Sequence, residues 1–309
     1  MIGGSTASGK SALALALAER IGGVILNADS QQLFADLPIL TARPTAAEMA
    51  RVPHRLFGEL AADEQPSVGR WLELVEPVLR DVRAAGRPAI LVGGTGLYLH
   101  ALLHGLPEMP EIPPDLRREL RAWAAQRPAP ELHARLATLD PAMAARLRPG
   151  DRQRLLRALE VRLGSGRSLR EWQATPRRRV PLPLQVAGVA LVPPAPMVAA
   201  RIGARLRAML EAGAVAQVAA LLGRRPDALA LPIAKVHGVR ELAAVARGEL
   251  RREAAEAAVA GQVRRYAKRQ RTWFRHQLAE LRPLALVGES ATAIEQLCRL
   301  LEEPPLAAT

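Results

Sequence analysis

The residues best suited to chemistry stand at the start of the chain, in the run Gly4-Ser5-Thr6-Ala7-Ser8-Gly9-Lys10-Ser11. Their spacing fits the phosphate-binding pattern G-x-x-x-x-G-K-[ST], in which glycines let backbone N–H groups close around a phosphate. Lys10 can neutralise the outer phosphates, and the hydroxyl of Ser11 can hold a Mg²⁺ ion. The run therefore predicts a bound phosphate chain, without deciding whether that phosphate belongs to a nucleotide.

A second polar set, Asp29-Ser30-Gln31-Gln32, follows the apolar run from Val24 to Ala28. The apolar run predicts a buried parallel strand, which places Asp29 at the same sheet edge as the phosphate loop. A carboxylate there can act as a general base or bind the metal through water. A helix cap or an ordinary loop aspartate is the alternative interpretation.

A third candidate follows the apolar run Pro88 to Val92, which predicts another buried strand. In many P-loop ATPases a strand ends in an acid that helps to hold Mg²⁺. Here the strand is followed by Gly93-Gly94-Thr95-Gly96. This favours contact with phosphate or substrate through the backbone and Thr95 over ordinary NTP hydrolysis, although a tight strand-to-helix turn would also explain the glycines.

Positive charge is concentrated in two regions of a chain whose formal net charge is +13. Residues 111–180 hold 16 arginines against 8 acids, and residues 262–277 hold six Lys/Arg and no acid. Two such regions on an otherwise nearly neutral chain predict a nucleic-acid partner. A solvated basic surface is the alternative.

Each basic region is predicted to be helical. In the helix from Asp151 to Val161, Arg154 and Arg157 are three residues apart and project from nearly one face. In the second region the spacing of the basic residues predicts one positive stripe beside an apolar face that can pack. The stripe is Arg264, Lys268, Arg271 and Arg275, and the packing face is Val263, Ala267, Gln270 and Phe274.

Alternating strands and helices predict an α/β protein with a parallel sheet of the P-loop NTPase kind. Only Met1 to Gly3 precede the phosphate loop, so the first strand is expected to be nearly absent. A proline-rich connector and a long arginine-rich helical stretch predict an all-helical insertion at 108–183, within a core of 1–107 and 184–301. The elements predicted for the second part of the core are a strand at 185–192, a long helix at 253–281, a strand at 283–287 and a helix at 292–301.

Composition excludes several classes. No apolar run approaches the ~18 residues of a membrane span, and the phosphate loop begins too early to leave room for a signal peptide. The single cysteine, Cys298, excludes a disulfide framework and a cysteine-rich zinc site, and the six histidines show no metal-ligand spacing. We expect a cytoplasmic monomer.

Taken together, these residues resemble the tRNA dimethylallyltransferase family, also called tRNA isopentenyltransferase. The similarity extends over nearly the whole chain, through Gly4–Ser11, Asp29-Ser30-Gln31, Thr41-Ala42-Arg43-Pro44, Val52-Pro53-His54, Val92–Tyr98, Gln153–Val161 and Tyr266–Trp273. The resemblance implies transfer of a prenyl group from dimethylallyl diphosphate, with Mg²⁺, to the exocyclic amine of the adenosine 3′-adjacent to the anticodon in tRNA.

The resemblance also implies roles for individual residues. Residues Gly4 to Ser11 would bind the diphosphate, Ser11 would hold the metal, and Asp29, Lys10 and Thr95 would be catalytic, with Asp29 as the base. The tRNA anticodon stem-loop would contact Asp29, Ser30, Gln31, Gln32, Thr95, Arg117, Gln153, Arg154, Leu155, Leu156, Arg157, Lys235, Val236, His237, Gly238, Val239 and Arg240, in addition to Arg264, Lys268 and Arg271 of the stripe.

The chain departs from the family pattern at Phe34, Leu40, Gly58 and Val239, where a tyrosine, a glycine, an acid and a tyrosine are usual. Two other functions remain open from the sequence. A P-loop kinase for a small metabolite would explain the phosphate loop and Asp29, but not the two basic regions. A non-catalytic RNA-binding protein would explain the charge, but would leave Asp29 and Thr95 without a role.

Overall fold

The computed structural model describes residues 1–175, 177–178, 180–284 and 294–299. Its internal contacts divide the chain into two units, which we call the core unit (residues 1–104 and 180–309) and the helical unit (residues 105–179). From the sequence, the insertion was predicted at 108–183.

The core unit contains a six-stranded, all-parallel sheet, which confirms the predicted fold class. Its strand order is β3-β2-β4-β1-β7-β8. The strands are β1 (Ile2–Gly4), β2 (Val24–Asn27), β3 (His54–Arg55), β4 (Ala89–Gly93), β7 (Val189–Leu191) and β8 (Arg282–Leu284), and a separate antiparallel pair in the helical unit is formed by β5 (Leu106–Pro107) and β6 (Arg177–Arg178).

The expectation that the first strand is nearly absent was wrong. Strand β1 is only three residues long, but it lies inside the sheet, where Ile2 pairs with Val92 of β4 on one side and with Val189 of β7 on the other. A strand with a partner on each side satisfies its backbone groups over a short length. Three residues are therefore enough to bring the phosphate loop to the edge of the sheet.

Helices cover both faces of the sheet, as a parallel sheet requires. In β2, Ile25 packs on one apolar cluster and Leu26 on the other, because successive side chains of a strand point to opposite faces. The helices of the core unit are α1 (Lys10–Ile21), α2 (Ala46–Arg51), α3 (Val68–Ala84), α4 (Gly96–His104), α10 (Ala195–Glu211), α11 (Ala214–Arg224), α12 (Val239–Ala246) and α13 (Arg252–Gln277).

The helical unit has its own apolar core, in which Leu132, Leu136, Leu155 and Leu159 are fully buried. Its helices are α5 (Pro114–Ala125), α6 (Ala129–Leu139), α7 (Pro141–Ala144), α8 (Arg152–Ser165) and α9 (Leu169–Gln173). The prediction of a helical, arginine-rich stretch is confirmed, and the short strands β5 and β6 lie near the two ends of the same unit.

Several predicted elements end elsewhere than expected. Helix α13 ends at Gln277 rather than at 281. Strand β8 covers the start of the strand expected at 283–287, whose remaining residues lie outside the described part. Residues 294–299 are helical, as expected. The remaining residues of the helix predicted at 292–301 lie outside the described part of the chain. Within the described residues no single helix is long and apolar enough to cross a membrane, although α10 and α11, bent by 59°, meet the length and composition criteria together.

Candidate active site

The phosphate loop joins β1 to α1 and is shaped to receive an anion. Its backbone is left-handed at Gly9 (φ 99°) and at Ala7 (φ 58°), a conformation that turns the chain sharply into the helix. No side chain caps the first amides of α1, so these N–H groups are open to a ligand. The hydroxyl of Ser8 is buried and has no partner among the described residues. A phosphate oxygen at this loop would accept hydrogen bonds from the N–H groups of α1 and from the Ser8 hydroxyl.

Lys10 is buried at the start of α1, where its Nζ donates to the carbonyl oxygen of Ser5 at 2.6 Å. Burial lowers the pKa of Lys10 to about 8, while the negative charge of Asp29 acts in the opposite direction and Arg205 adds to the decrease. None of the described carboxylates pairs directly with this buried cation, which is therefore poised to gain an anionic ligand.

Two arginines that the sequence did not single out face the same loop. Arg201 and Arg205 lie one turn apart in α10, and both line the cavity next to the loop. Arg201 donates to the carbonyl oxygen of Ser8 at 3.4 Å. Burial lowers the pKa of the Arg205 guanidinium, and Asp29 partly offsets this effect. A pair of arginines one turn apart was visible in the sequence, but nothing local distinguished it from a solvated helix face.

Asp29 follows β2 and is held by its own loop. Its backbone N–H donates to the side chain of Asn27 at 2.8 Å, and its Oδ1 accepts from the N–H of Gln31 at 3.0 Å. Asn27 is fully buried and also donates to the carbonyl oxygen of Leu56. The carboxylate therefore has a fixed orientation and lines the cavity that the phosphate loop borders.

Thr95 follows β4 and connects this strand end to that of β2. Its Oγ1 accepts from the N–H of Ser30 at 2.9 Å and lies 3.2 Å from the Ser30 hydroxyl, while its own N–H donates to Ala28 at 3.1 Å. Gly94 needs its lack of a side chain, because a Cβ there would overlap the Gln270 amide and lie 3.3 Å from Oδ2 of Asp29. At Gly94 the glycine therefore serves close packing.

Gln270 of α13 connects the phosphate loop to the end of β4. Its Oε1 accepts from the N–H of Thr6 at 2.8 Å, and its Nε2 donates to the carbonyl oxygen of Gly94 at the same distance. The predicted packing face of this helix is confirmed, since Ala267, Gln270 and Phe274 are buried. The sequence did not show that Gln270 joins Thr6 to Gly94, because it predicted only that Gln270 is one of several packing residues.

Tyr266 lies one turn before Gln270 and lines the cavity. Burial and the nearby Asp29 raise the pKa of its phenol, while hydrogen bonds with Thr95 and Gln270 act in the opposite direction. The phenol is thus neutral at physiological pH, and it joins the side chains that fix Thr95.

The remaining polar residues of the loop after β2 also take part in fixed contacts. Gln32 donates to the carbonyl oxygens of Thr41 at 3.1 Å and Ala42 at 2.7 Å. The side chain of Gln31 accepts from the backbone N–H of His237 at 3.2 Å. The contact of Gln31 connects the loop after β2 to the segment 235–240, which the resemblance also implies is near RNA.

These elements enclose a cavity of about 1130 Å³ in the core unit. It is lined at one side by the phosphate loop with Arg201 and Arg205, and elsewhere by apolar side chains of α10 and α13. The lining includes Lys10, Ser11, Asp29, Gln31, Gln32, Ile202, Leu206, Met209, His237, Val259, Val263 and Tyr266. Lys10 and Asp29, predicted from separate motifs, thus share one cavity, and Thr95 is hydrogen-bonded to its wall.

The segment 235–240 divides into buried and exposed residues. Lys235 donates to Gln65 at 3.1 Å, and Arg240 donates to the carbonyl oxygen of Leu229 at 2.9 Å. Val236 and Val239 are buried, so their side chains cannot touch RNA without rearrangement. Only their backbones are left for the predicted tRNA contact.

The residues predicted to contact RNA include side chains of α13 in the core unit and of α5 and α8 in the helical unit. On α13, Arg264 and Lys268 are exposed and Arg271 is half-buried. In the helical unit, Gln153 and Arg154 are exposed, while Leu156, Arg157 and Arg117 are half-buried. Leu155 was expected to contact tRNA, but its side chain is 0% exposed and belongs to the core of this unit.

The four departures from the family pattern are all accommodated by packing. Phe34, Leu40 and Val239 are buried in the larger apolar cluster of the core unit. Gly58 is left-handed (φ 73°), and the Arg43 guanidinium occupies the space in which a Cβ would lie. All four positions are thus filled by close contacts.

Among the described residues there is no group of three or more His, Cys, Asp or Glu side chains that could hold a metal ion. The exposed hydroxyl of Ser11 next to the phosphate loop fits a different kind of site. Mg²⁺ is commonly bound by one or two protein oxygens together with substrate phosphates and water.

Comparison with known proteins agrees with this geometry. A family model described as IPP transferase matches residues 32–277. A tRNA dimethylallyltransferase from Rhodopseudomonas palustris (strain BisB18) is 50% identical over 280 residues, which are 91% of this chain and 88% of the relative.

Two solved structures are also similar. A full-length tRNA isopentenylpyrophosphate transferase from Bacillus halodurans is 29% identical with a TM-score of 0.67, over 97% of this chain and 95% of that one. A eukaryotic dimethylallyltransferase, solved acting on tRNA, shares the fold with a TM-score of 0.78 at 22% identity, over 99% of this chain and 79% of that one. The chain belongs to the IPP transferase family.

Proposed function

We propose that this protein transfers a dimethylallyl group from dimethylallyl diphosphate to the exocyclic amine of the adenosine 3′-adjacent to the anticodon in tRNA. The observation that carries the proposal is the placement of Lys10 and Asp29 in one cavity, with the phosphate loop on one side and a fixed carboxylate on another. Family membership and the names of the relatives give independent support.

The phosphate loop and the two arginines of α10 bind the diphosphate end of the donor. As the bond between the allylic carbon and oxygen breaks, negative charge grows on the leaving diphosphate. Lys10, Arg201 and Arg205 supply fixed positive charge where it is needed, which is usually the largest catalytic contribution. The open amides of α1 and the unpaired Ser8 hydroxyl can donate to the same phosphate oxygens.

Mg²⁺ would be held by Ser11 together with the donor phosphates. Its chemical contribution when bound is to neutralise charge on the leaving diphosphate. The donor set fits, because Ser11 is exposed to the cavity while no cluster of described carboxylates or imidazoles competes for the ion.

Asp29 serves the acceptor. The adenine amine forms a bond to the allylic carbon, diphosphate leaves with the electron pair of the broken bond, and the amine loses a proton. The Asp29 carboxylate accepts this proton as a general base. Its hydrogen bond from Gln31 and the Thr95–Ser30 contact hold the carboxylate in place, so no reorientation is needed during the reaction.

The base must leave the stack of the anticodon loop to enter the cavity, which requires a few kcal/mol. The basic surfaces of α13 and of the helical unit are available to bind the phosphates of the stem and to supply this energy. A tRNA substrate supports a cytoplasmic location, and a monomer is sufficient for the proposal.

The test is transfer of label from dimethylallyl diphosphate to a synthetic anticodon stem-loop with an adenosine after the anticodon. We expect a prenylated nucleoside and release of pyrophosphate. The same incubation with γ-labelled ATP examines the kinase alternative, which nothing in the comparisons supports. Phosphate transfer from ATP without prenyl transfer would overturn the proposal.

A further inference from the structure

His237 has an unpaired nitrogen in the wall of the cavity. The residue precedes α12, and its Nε2 is buried without a partner among the described residues. A buried polar atom left unpaired carries a desolvation penalty, so such an atom beside a cavity indicates a missing ligand. The resemblance implied only that His237 belongs to six consecutive residues, 235–240, that contact tRNA, and it gave no role for the ring.

The backbone around His237 is firmly held. Its N–H donates to Gln31 at 3.2 Å, and the next residue, Gly238, is left-handed (φ 94°). Val236 and Val239 are buried on either side. The imidazole therefore has a fixed point of attachment.

The ring itself is positioned by an aromatic neighbour. The centroids of the His237 and Tyr266 rings are 4.8 Å apart, at an interplanar angle of 59°. Burial and the positive charge of Arg269 lower the pKa of His237, whereas Asp29 and Glu241 act in the opposite direction. The imidazole is thus neutral at pH 7, with one nitrogen as donor and the other as acceptor.

Asp29 and His237 together offer a hydrogen-bond pattern that matches adenine. Both line the same cavity and they interact electrostatically. Adenine presents its amine as a donor, flanked by the ring acceptors N1 and N7. Guanine carries an oxygen in place of the amine, so a carboxylate at that point meets an acceptor instead of a donor.

We propose that His237 Nε2–H donates a hydrogen bond to a ring nitrogen of the acceptor adenine beside the amine that Asp29 deprotonates, which makes His237 a specificity-determining residue for the base. This inference rests on the proposed function. The Tyr266 ring packs against the imidazole, and Nε2 has no partner in the described part of the chain.

The experiment combines variants of the protein with variants of the base. His237→Phe keeps the ring against Tyr266 but removes the nitrogen, while His237→Gln can place an amide donor close to the position of Nε2. Stem-loops carry adenosine, 1-deazaadenosine or 7-deazaadenosine at the target position. His54→Phe is the matched control, since His54 also contacts an aromatic ring, Phe57, at 5.8 Å, but does not line the cavity.

With adenosine, we expect His237→Phe to lower kcat/KM for the stem-loop about 3- to 10-fold, the usual range for one lost hydrogen bond. His237→Gln should recover most of this loss, and donor affinity should not change. One of the two deaza bases should reduce wild-type kcat/KM by a similar factor and cause no further loss in His237→Phe, because the same bond is already missing.

Three results would overturn the inference. The first is an unchanged kcat/KM in His237→Phe, and the second is a failure of His237→Gln to restore kcat/KM. The third is a loss in His237→Phe that adds to the loss caused by each of the two deaza bases, because additive losses would mean that the ring has a packing role alone. Absence of transfer by the wild-type protein would instead refute the proposed function. A fall in donor affinity or melting temperature in His237→Phe would assign the loss to folding, and the analogue comparison in the His237→Gln protein would then decide.

Discussion

The core unit and the helical unit both carry the charged residues of this protein, but they hold them in different ways. In the core unit, Lys10 and Asp29 line a cavity and are held by the backbone: Lys10 donates to the carbonyl oxygen of Ser5, and the Asp29 carboxylate accepts from the N–H of Gln31. In the helical unit, Arg154 has 74% of its side chain exposed and is paired with Asp151 at 3.4 Å. Fixed charges suit the chemistry of one bond, whereas exposed charges suit attraction to a polyanion.

The helical unit also contains buried carboxylates, and the surroundings of Glu160 make the contrast clearer. Glu160 is 5% exposed and is paired with Arg121 at 3.1 Å and with Arg157 at 3.6 Å. This carboxylate holds arginines at the surface instead of facing a cavity. We therefore expect substitutions in the core unit to change turnover, and substitutions on the basic surfaces to change affinity and its dependence on salt.

The largest effect is expected for Asp29→Asn, which keeps the shape of the side chain but cannot accept the proton. Turnover should fall by roughly 10²- to 10⁴-fold, the usual contribution of a general base. The measurement is single-turnover transfer with both substrates saturating. Asp36→Asn is the control, because Asp36 pairs with Arg224 at 2.8 Å outside the cavity. Near-normal transfer by Asp29→Asn would remove Asp29 as the base.

Lys10→Ala should damage donor binding and turnover together. Loss of one preorganised charge at the leaving group should lower kcat/KM for the donor about 10²- to 10³-fold. Lys268→Ala removes an exposed lysine of the same protein and should leave this value unchanged. Equal losses in the two variants would mean that the phosphate loop is not the donor site.

Reversal of Arg264, Lys268 and Arg271 to glutamate should weaken tRNA binding and flatten its salt dependence. Each lost phosphate contact reduces the log–log slope by about 0.7 on single strands, so the triple variant should lose about 2 in slope. Arg247, Arg251 and Arg252, which are exposed elsewhere in the core unit, provide a control triple. A matching fall in donor affinity would contradict an RNA-binding role for α13.

The smallest effect concerns pH. Lys10 is charged below its pKa of about 8 and neutral above it, so its contribution to donor binding is lost as the pH rises. The kcat/KM for the donor reports the free enzyme and should decline above pH 8, approaching a tenfold fall per pH unit. In Lys10→Ala this decline should disappear. A profile that stays flat to pH 9.5 would show that the charge of Lys10 is not required.

Much of the site could be predicted because its residues are close in sequence to elements with clear patterns. The phosphate loop is a continuous run, and Asp29 directly follows an apolar strand whose end is fixed by the parallel topology. The stripe on α13 follows from helical periodicity alone. The first strand was underestimated because a sequence does not show that a three-residue segment has a partner on each side.

The sequence by itself determined the phosphate loop, the carboxylate that faces it and the two basic regions, since each depends on local spacing along one element. Only the tertiary structure decided that Arg201 and Arg205 line the cavity beside the phosphate loop, that Gln270 connects Thr6 to Gly94, and that His237 and Asp29 line the same cavity. Periodicity states which residues share a face of a helix, but not what that face will meet. Those contacts join residues that are far apart in the chain, and they exist only after the sheet and its helices have packed.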